Sequence, residues 1–252
     1  MINSEMFKKL KRLNLIMAAF HLLQAVLMVW LSTDFVITIT SSYMMGPPGT
    51  TQMGSQSLFD IRLGLLVALF MFLSSIAHLS ISTFAYDYYI KNLKKNINQS
   101  RWIEYSFSSS LMIIIIAMLV GITDLGTLIT LFIVNASMIF FGWVMEAYNQ
   151  KTDKVVWFPF TFGCIAGIAP WITIFIRLIT ASQNSPVGIP GFVIGIFVSL
   201  FIFFNIFAVN QFLQYKKIGP WKDYLFGEKM YIYLSLFAKT ALAWQVFSGT
   251  LM

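Results

Sequence analysis

One charge interrupts the apolar stretch YLSLFAKTALAWQVFSG, residues 233 to 249: Lys239. A carboxylate, Glu104, stands in RWIEYSFSSS at 101 to 110, and two imidazoles, His21 and His78, lie inside other apolar runs. A charge at the centre of a membrane helix costs about 2.5 to 3.5 kcal/mol, so each such group needs a partner or a function. An amine beside a carboxylate in low dielectric supports two readings. The pair can lock two helices together, although desolvation makes it weak evidence of stability and an apolar pair often serves as well. Alternatively the amine is a nucleophile toward a carbonyl, forming a Schiff base that stays charged because the carboxylate sits beside it. The residues alone leave both open.

Holding these groups takes helices, and the composition supplies them. Of 252 residues, 58% are apolar, 17% aromatic and only 11% charged. Soluble domains average about 25% charged residues, so the chain reads as a polytopic membrane protein. A hydrocarbon core of about 30 Å takes about 20 apolar residues per helix. Seven segments qualify: Leu13 to Ser32, Ile61 to Tyr86, Trp102 to Ile122, Leu125 to Tyr148, Val155 to Ile179, Phe192 to Leu213 and Met230 to Leu251. The prediction is an all-α bundle of seven transmembrane helices in one domain, residues 1–252, with no room for a soluble domain. The first segment follows a basic region but is too long for a signal-peptide core and lacks a cleavage site, so it reads as a retained helix. The one cysteine, Cys164, excludes an internal disulfide.

The net charge of +7 would suggest nucleic acid in a soluble protein, but its distribution is topological. Lys8, Lys9, Lys11 and Arg12 precede the first segment, and Lys91, Lys94, Lys95 and Arg101 lie between the second and third. Lys151 and Lys154 follow the fourth, and Lys216, Lys217, Lys222 and Lys229 join the sixth to the seventh. Of the 17 basic residues only Arg62, Arg177 and Lys239 fall elsewhere. The expectation is a cell-membrane protein with a cytoplasmic N-terminus and an extracellular C-terminus. In the first outer loop, VITIT and a later stretch separated by Gly46-Pro47-Pro48-Gly49 read as a small β-hairpin.

Depth follows from helical rise. Lys239 lies ten residues beyond Lys229, roughly 15 Å in, and Glu104 nine beyond Lys95, roughly 13 Å. His21 reaches a similar level, and His78 a comparable or slightly deeper one. The other acids sit at outer ends (Asp34, Asp60, Asp124) or near cytoplasmic charges (Asp87, Glu146, Asp153, Asp223, Glu228). Ser235, one turn before Lys239, can hydrogen-bond the lysine nitrogen. Trp143, Trp157, Trp171 and Trp244, with Phe203, Phe204, Phe207 and Met138, would line a long flat apolar ligand; simple packing or an interfacial belt would use the same residues.

Taken in order, FHLLQ (20 to 24), GPPGTT (46 to 51), RWIEYSFSSS, VNASMIFFGW (134 to 143), FGCIAGIAPW (162 to 171), IPGFVIGI (189 to 196) and AKTALAWQVFSGTL (238 to 251) resemble one family, the heliorhodopsins, retinal-binding seven-helix photoreceptors with inverted topology. The resemblance spans nearly the whole chain. It implies that Lys239 carries all-trans-retinal as a protonated Schiff base, with Glu104 as single counterion and Ser235 hydrogen-bonding nearby. His21 and His78 would belong to a polar, water-containing cavity and proton acceptor, with Tyr105, Asn135 and Ser108 as further members. Met138, Gly142, Trp171, Phe204 and Gln211 would surround the polyene and ring. The family also implies isomerisation to 13-cis, a slow photocycle, and a homodimer through the fourth and fifth segments and the first outer loop. Gly142, Gly163 and Gly167 are small residues that permit close helix approach.

A pump needs a directional relay of acids. After Glu104 the third segment continues YSFSSSLMIIIIAML, with hydroxyls at Ser106, Ser108, Ser109 and Ser110 and no acid, and Ser235 occupies the place where pumping rhodopsins resemble one another in having an aspartate. The expectation is therefore a light sensor, not an enzyme, embedded in lipid and signalling to an unidentified cytoplasmic protein, with no nucleic acid and no metal site. A light-gated ion or proton conductance, and light-dependent regulation of a bound cytoplasmic enzyme, are the alternatives.

Overall fold

The computed structural model describes residues 2–49, 52–186 and 188–250, with no side-chain description for 2–4 and 250. Thr50 and Thr51 of the GPPGTT stretch, and Leu251, lie outside the described residues. Helix α1 runs Ile2–Leu31, followed by strands β1 (Val36–Met44) and β2 (Met53–Arg62). Then come α2 (Leu63–Ser82), α3 (Tyr86–Leu93), α4 (Gln99–Leu119), α5 (Leu125–Asn149), α6 (Phe158–Asn184), α7 (Gly191–Lys216), a 3-10 turn (Gly219–Lys222) and α8 (Tyr224–Thr250). The chain is thus mostly helical, with eight α-helices among the described residues. Six of them, α1, α2, α4, α5, α6 and α7, are long and apolar enough to cross a membrane. Helix α8 carries Lys239 and Gln245 in mid-run and is not among those six. Short α3 was not expected: it forms within the connection that the charge pattern reads as a loop, turning Tyr89 and Leu93 into the interior.

The bundle closes on itself. Successive helices α1 and α2, α4 and α5, α5 and α6, and α7 and α8 pack together, α2 lies on α4, and α8 returns to α1 and α2. Helix α4 is the central member: 61% of its most apolar window is buried, against 17% for α7. A lipid-facing helix has no reason to bury its apolar residues inside the protein, so the outer helices leave Ile, Phe and Val exposed. Between α6 and α7 contact is carried by large rings, with Trp171 edge-on to Phe197, Phe201 and Phe204 at centroid separations of 5.7, 5.3 and 5.4 Å. Helix starts follow local chemistry. Asn98 caps α4 by accepting the Arg101 N–H, and Asp124 caps α5 by accepting that of Thr127.

The hairpin is present and longer than its Thr-rich signal, because β2 is MGSQSLFDIR and runs directly into α2. The strands pair antiparallel, with a bulge at Ile39/Thr40. Asp124 fastens the hairpin to the bundle: besides capping α5 it accepts the Ser42 N–H at 3.0 Å, beside the Thr40 N–H to Thr123 carbonyl bond at 3.0 Å. Those backbone donors, Ser42 first and Thr127 second, hold its carboxyl below the usual aspartate value.

Gly142, Gly163 and Gly167 serve contacts within the chain. A Cβ on Gly142 would come 2.5 Å from the Trp102 ring of α4; one on Gly163 would come 3.3 Å from Phe141 of α5, and one on Gly167 2.4 Å from the Met138 sulfur. As small residues they let α4, α5 and α6 approach, rather than marking an outward face.

Candidate functional site

The two groups placed in one layer by depth are in contact. Lys239 Nζ of α8 donates to Glu104 Oε1 of α4 at 2.6 Å, with side chains 3% and 9% exposed. Nζ also donates to Ser74 Oγ of α2 at 2.6 Å. The Ser74 hydroxyl lies 2.7 Å from Glu104 Oε1 and 3.0 Å from the Phe70 carbonyl, both of which can accept its proton. Three helices therefore converge on one nitrogen. Ser235 does not join them: its buried hydroxyl has no hydrogen-bond partner among the described residues. One turn of separation along α8 gives it the right depth, but the lysine side chain is directed across the bundle to α2 and α4. Ser74 is the hydroxyl that the sequence reading missed, and nothing distinguishes it from its neighbour Ser75 in SSIAHLS without the helix packing.

On one side of Lys239 lies an apolar cavity of about 50 Å³ lined by Tyr105, Ser108, Met112, Met138, Phe204 and Phe207. It shares Tyr105, Met138, Ile139, Phe204 and Phe207 with a cavity of about 140 Å³ that extends to Gly142, Trp171 and Gln211. The five residues that the resemblance assigned to polyene and ring thus all border the larger cavity, and the smaller one, which shares part of its wall, reaches the Lys239 amine. Gly142 is part of the cradle, since any larger residue would meet Trp102. Gln211 Nε2 makes a long 3.4 Å contact to the Gly142 carbonyl.

Beside Glu104 lies a polar cavity of about 40 Å³, bounded by Asn14, His78, Arg101, Glu104, Tyr105 and Glu228 among others. His78 Nδ1 is 2.7 Å from Asn14 Oδ1, and its ring stacks on His21 with centroids 5.7 Å apart and planes at 8°. His21 faces away, with Nδ1 3.4 Å from the Met71 sulfur. Tyr105 spans both cavities, its hydroxyl donating to the Tyr231 carbonyl at 2.9 Å. Asn135 and Ser108 do not belong here. Asn135 donates to Ser109 and Ser110 at 2.9 and 3.0 Å, which at helical rise are roughly 8 to 9 Å beyond Glu104 along α4. Ser108 borders the apolar cavity instead. Distance along α4 separates them: Ser108 lies one turn beyond Glu104, and Asn135 of α5 meets the helix farther along still.

The largest omission is a second ion cluster. Arg101 reads in the sequence as one more topological charge, and Glu146 and Glu228 as acids near that charged end, yet all three side chains are at most 4% exposed. Arg101 donates to both carboxylates and is stacked between the Trp102 and Tyr231 rings, 4.3 and 3.9 Å from their centroids. The only forewarning was an arginine flanked by tryptophan in RWIEY and a glutamate inside the apolar run FFGWVMEAYN.

A helical bundle that sets a buried amine and carboxylate at the end of an apolar cavity defines a membrane protein with a site for a long apolar carbonyl compound. The family model for heliorhodopsin matches residues 10–251, and the chain belongs to that family. It is accordingly a retinal-binding, light-sensing rhodopsin and a multi-pass membrane protein, of a family that is not a class of enzymes. Among curated proteins none matches the chain.

Proposed function

We propose that the chain is a seven-span light sensor in which Lys239 holds all-trans-retinal covalently and Glu104 is the counterion, with the lysine-rich end and the N-terminus in the cytoplasm. The observation that carries this reading is the 2.6 Å contact of Lys239 Nζ with Glu104 Oε1 at the end of the apolar cavity. That cavity suits the cofactor: its walls are rings, methionines and a glycine cradle. Retinal supplies light absorption and an all-trans to 13-cis isomerisation. The protein's residues do the rest. Glu104 keeps a proton on Nζ by attraction in low dielectric and Ser74 steadies the pair. Met138, Gly142, Trp171, Phe204 and Gln211 shape and exclude water from the apolar side. His78, with His21 stacked on it, borders the polar side where a proton displaced from Nζ can be received.

Sensing is favoured over pumping because Glu104 is the one carboxylate in contact with Lys239 among the described residues, and Ser235 stands where a second acid would be needed. A slow photocycle would then alter a partner at the cytoplasmic end, in a homodimer formed through α5, α6 and the hairpin. A light-gated conductance or regulation of a bound enzyme are variants of the same photochemistry. The test is to add all-trans-retinal to the purified apoprotein: a visible band forms, disappears entirely in Lys239→Ala, and in Glu104→Gln either shifts to the red or reports an unprotonated nitrogen. Unchanged spectra in both variants would overturn the assignment. A sustained, directional light-driven pH change in vesicles would replace the sensor by a pump.

A further inference from the structure

The Arg101 cluster has no part in holding retinal, and its charges do not balance. Two carboxylates, Glu146 and Glu228, face one guanidinium, leaving one buried negative charge uncompensated. The two acids are not equivalent. Glu146 is saturated: Oε1 accepts from Arg101 and from the Tyr224 hydroxyl, and Oε2 from the Asn98 N–H at 3.0 Å and Trp102 Nε1 at 2.6 Å. With every oxygen facing two donors, it has no room for a proton of its own. Glu228 has only two donors among the described residues, Arg101 on Oε1 and Asn98 Nδ2 on Oε2 at 2.7 Å.

Glu228 also borders the 40 Å³ polar cavity, whose lining includes Glu104, the partner of Lys239, and His78. A water needs roughly 10 to 15 Å³ of such space and two or more polar partners, so the cavity has room for about three or four. Arg101 Nε, buried and with no protein acceptor among the described residues, is a further donor at the same wall. The remaining titratable groups around Glu228 are Tyr89 of α3 and Tyr231 of α8, both bordering the cavity, and Tyr224 beyond Glu146.

We propose that Glu228 is the proton store of this protein: the carboxylate that takes up, through the cavity water, the proton displaced from Lys239 Nζ, and later returns it. The N–H bond at Nζ breaks, an O–H bond forms on Glu228, and the uncompensated negative charge moves from the Arg101 cluster to Glu104. The return step reverses both, so no oxidant, reductant or external proton is consumed. The wide cleft of about 520 Å³ at the lysine-rich end is lined by Tyr224 and not by Glu228, whose side chain is 1% exposed. This inference rests on the retinal reading above.

The test uses the full chain loaded with retinal, comparing light-minus-dark infrared spectra of wild type, Glu228→Gln and Glu146→Gln. A protonated-carboxyl C=O band is expected with light in wild type, retained in Glu146→Gln and lost in Glu228→Gln, with the visible band present throughout. A band that persists in Glu228→Gln, or a displaced proton without any carboxyl band, overturns the proposal. If Glu228→Gln does not yield folded protein, Glu228→Asp must move the band to a new frequency, and an unmoved band is equally fatal. Absence of any visible band in wild type overturns the retinal reading and this proposal with it, whereas an intact visible band without a Glu228-dependent carboxyl band overturns this proposal alone.

Discussion

Two buried ion clusters sit one turn apart on α4 and are built in opposite ways. At Glu104 one anion meets one cation, Lys239 Nζ has two partners among the described residues, and an apolar cavity opens beside it. At Arg101 one cation meets two anions, and rings, amides and a hydroxyl fill most of the space around them. Glu146, with two donors on each oxygen, is a fastening, because no group can be added there without removing another. An amine with an open apolar side is reactive, because a substituent has somewhere to go. Burial alone separates nothing here; the count of filled hydrogen-bonding positions does.

That contrast breaks most severely at Arg101. Replacing it with alanine leaves two carboxylates buried without a cation, expected to cost about 3 to 5 kcal/mol and to lower the thermal midpoint of the purified protein sharply. Adding Glu146→Gln and Glu228→Gln to that variant should restore much of the loss. If it does not, the cluster fastens by shape rather than charge. Gly142→Ala comes next, since its Cβ would meet Trp102 at 2.5 Å. Overpacking there should cost about 1 to 3 kcal/mol and reduce retinal uptake as the cradle closes, read by thermal unfolding and by the yield of the visible band. Smaller still is Ser74→Ala, which removes the hydroxyl shared by Lys239 and Glu104, at about 1 kcal/mol and with a displaced absorption maximum. Ser235→Ala should change stability by less than about 0.5 kcal/mol, because its hydroxyl has no bond to lose. A larger spectral displacement from Ser235→Ala than from Ser74→Ala would reverse the assignment of the lysine's hydroxyl partner.

Much of the site was legible without coordinates, and the limit falls at an identifiable place. Helical rise is a property of the backbone, so counting residues from the basic ends put Lys239 and Glu104 at one depth, and they touch. Charge pairing demanded by low dielectric made them partners before any family was named. Hydropathy likewise marked the apolar helices, and Gly46-Pro47-Pro48-Gly49 marked the hairpin turn.

Rotation about the helix axis is a different matter, since side chains of equal depth can face opposite ways and only the neighbours decide which. Thus Ser74 rather than Ser235 meets the lysine, and three glycines are taken up by contacts within the chain. Arg101 shows the same limit most fully. By position it is a charge at the lysine-rich end; only α5 and α8, arriving with Glu146 and Glu228, supply the partners that let it be buried. The sequence by itself determined which groups share a level of the membrane, because depth is fixed by the chain's own geometry. The tertiary structure alone decided which of them meet, because facing depends on helices distant in the chain.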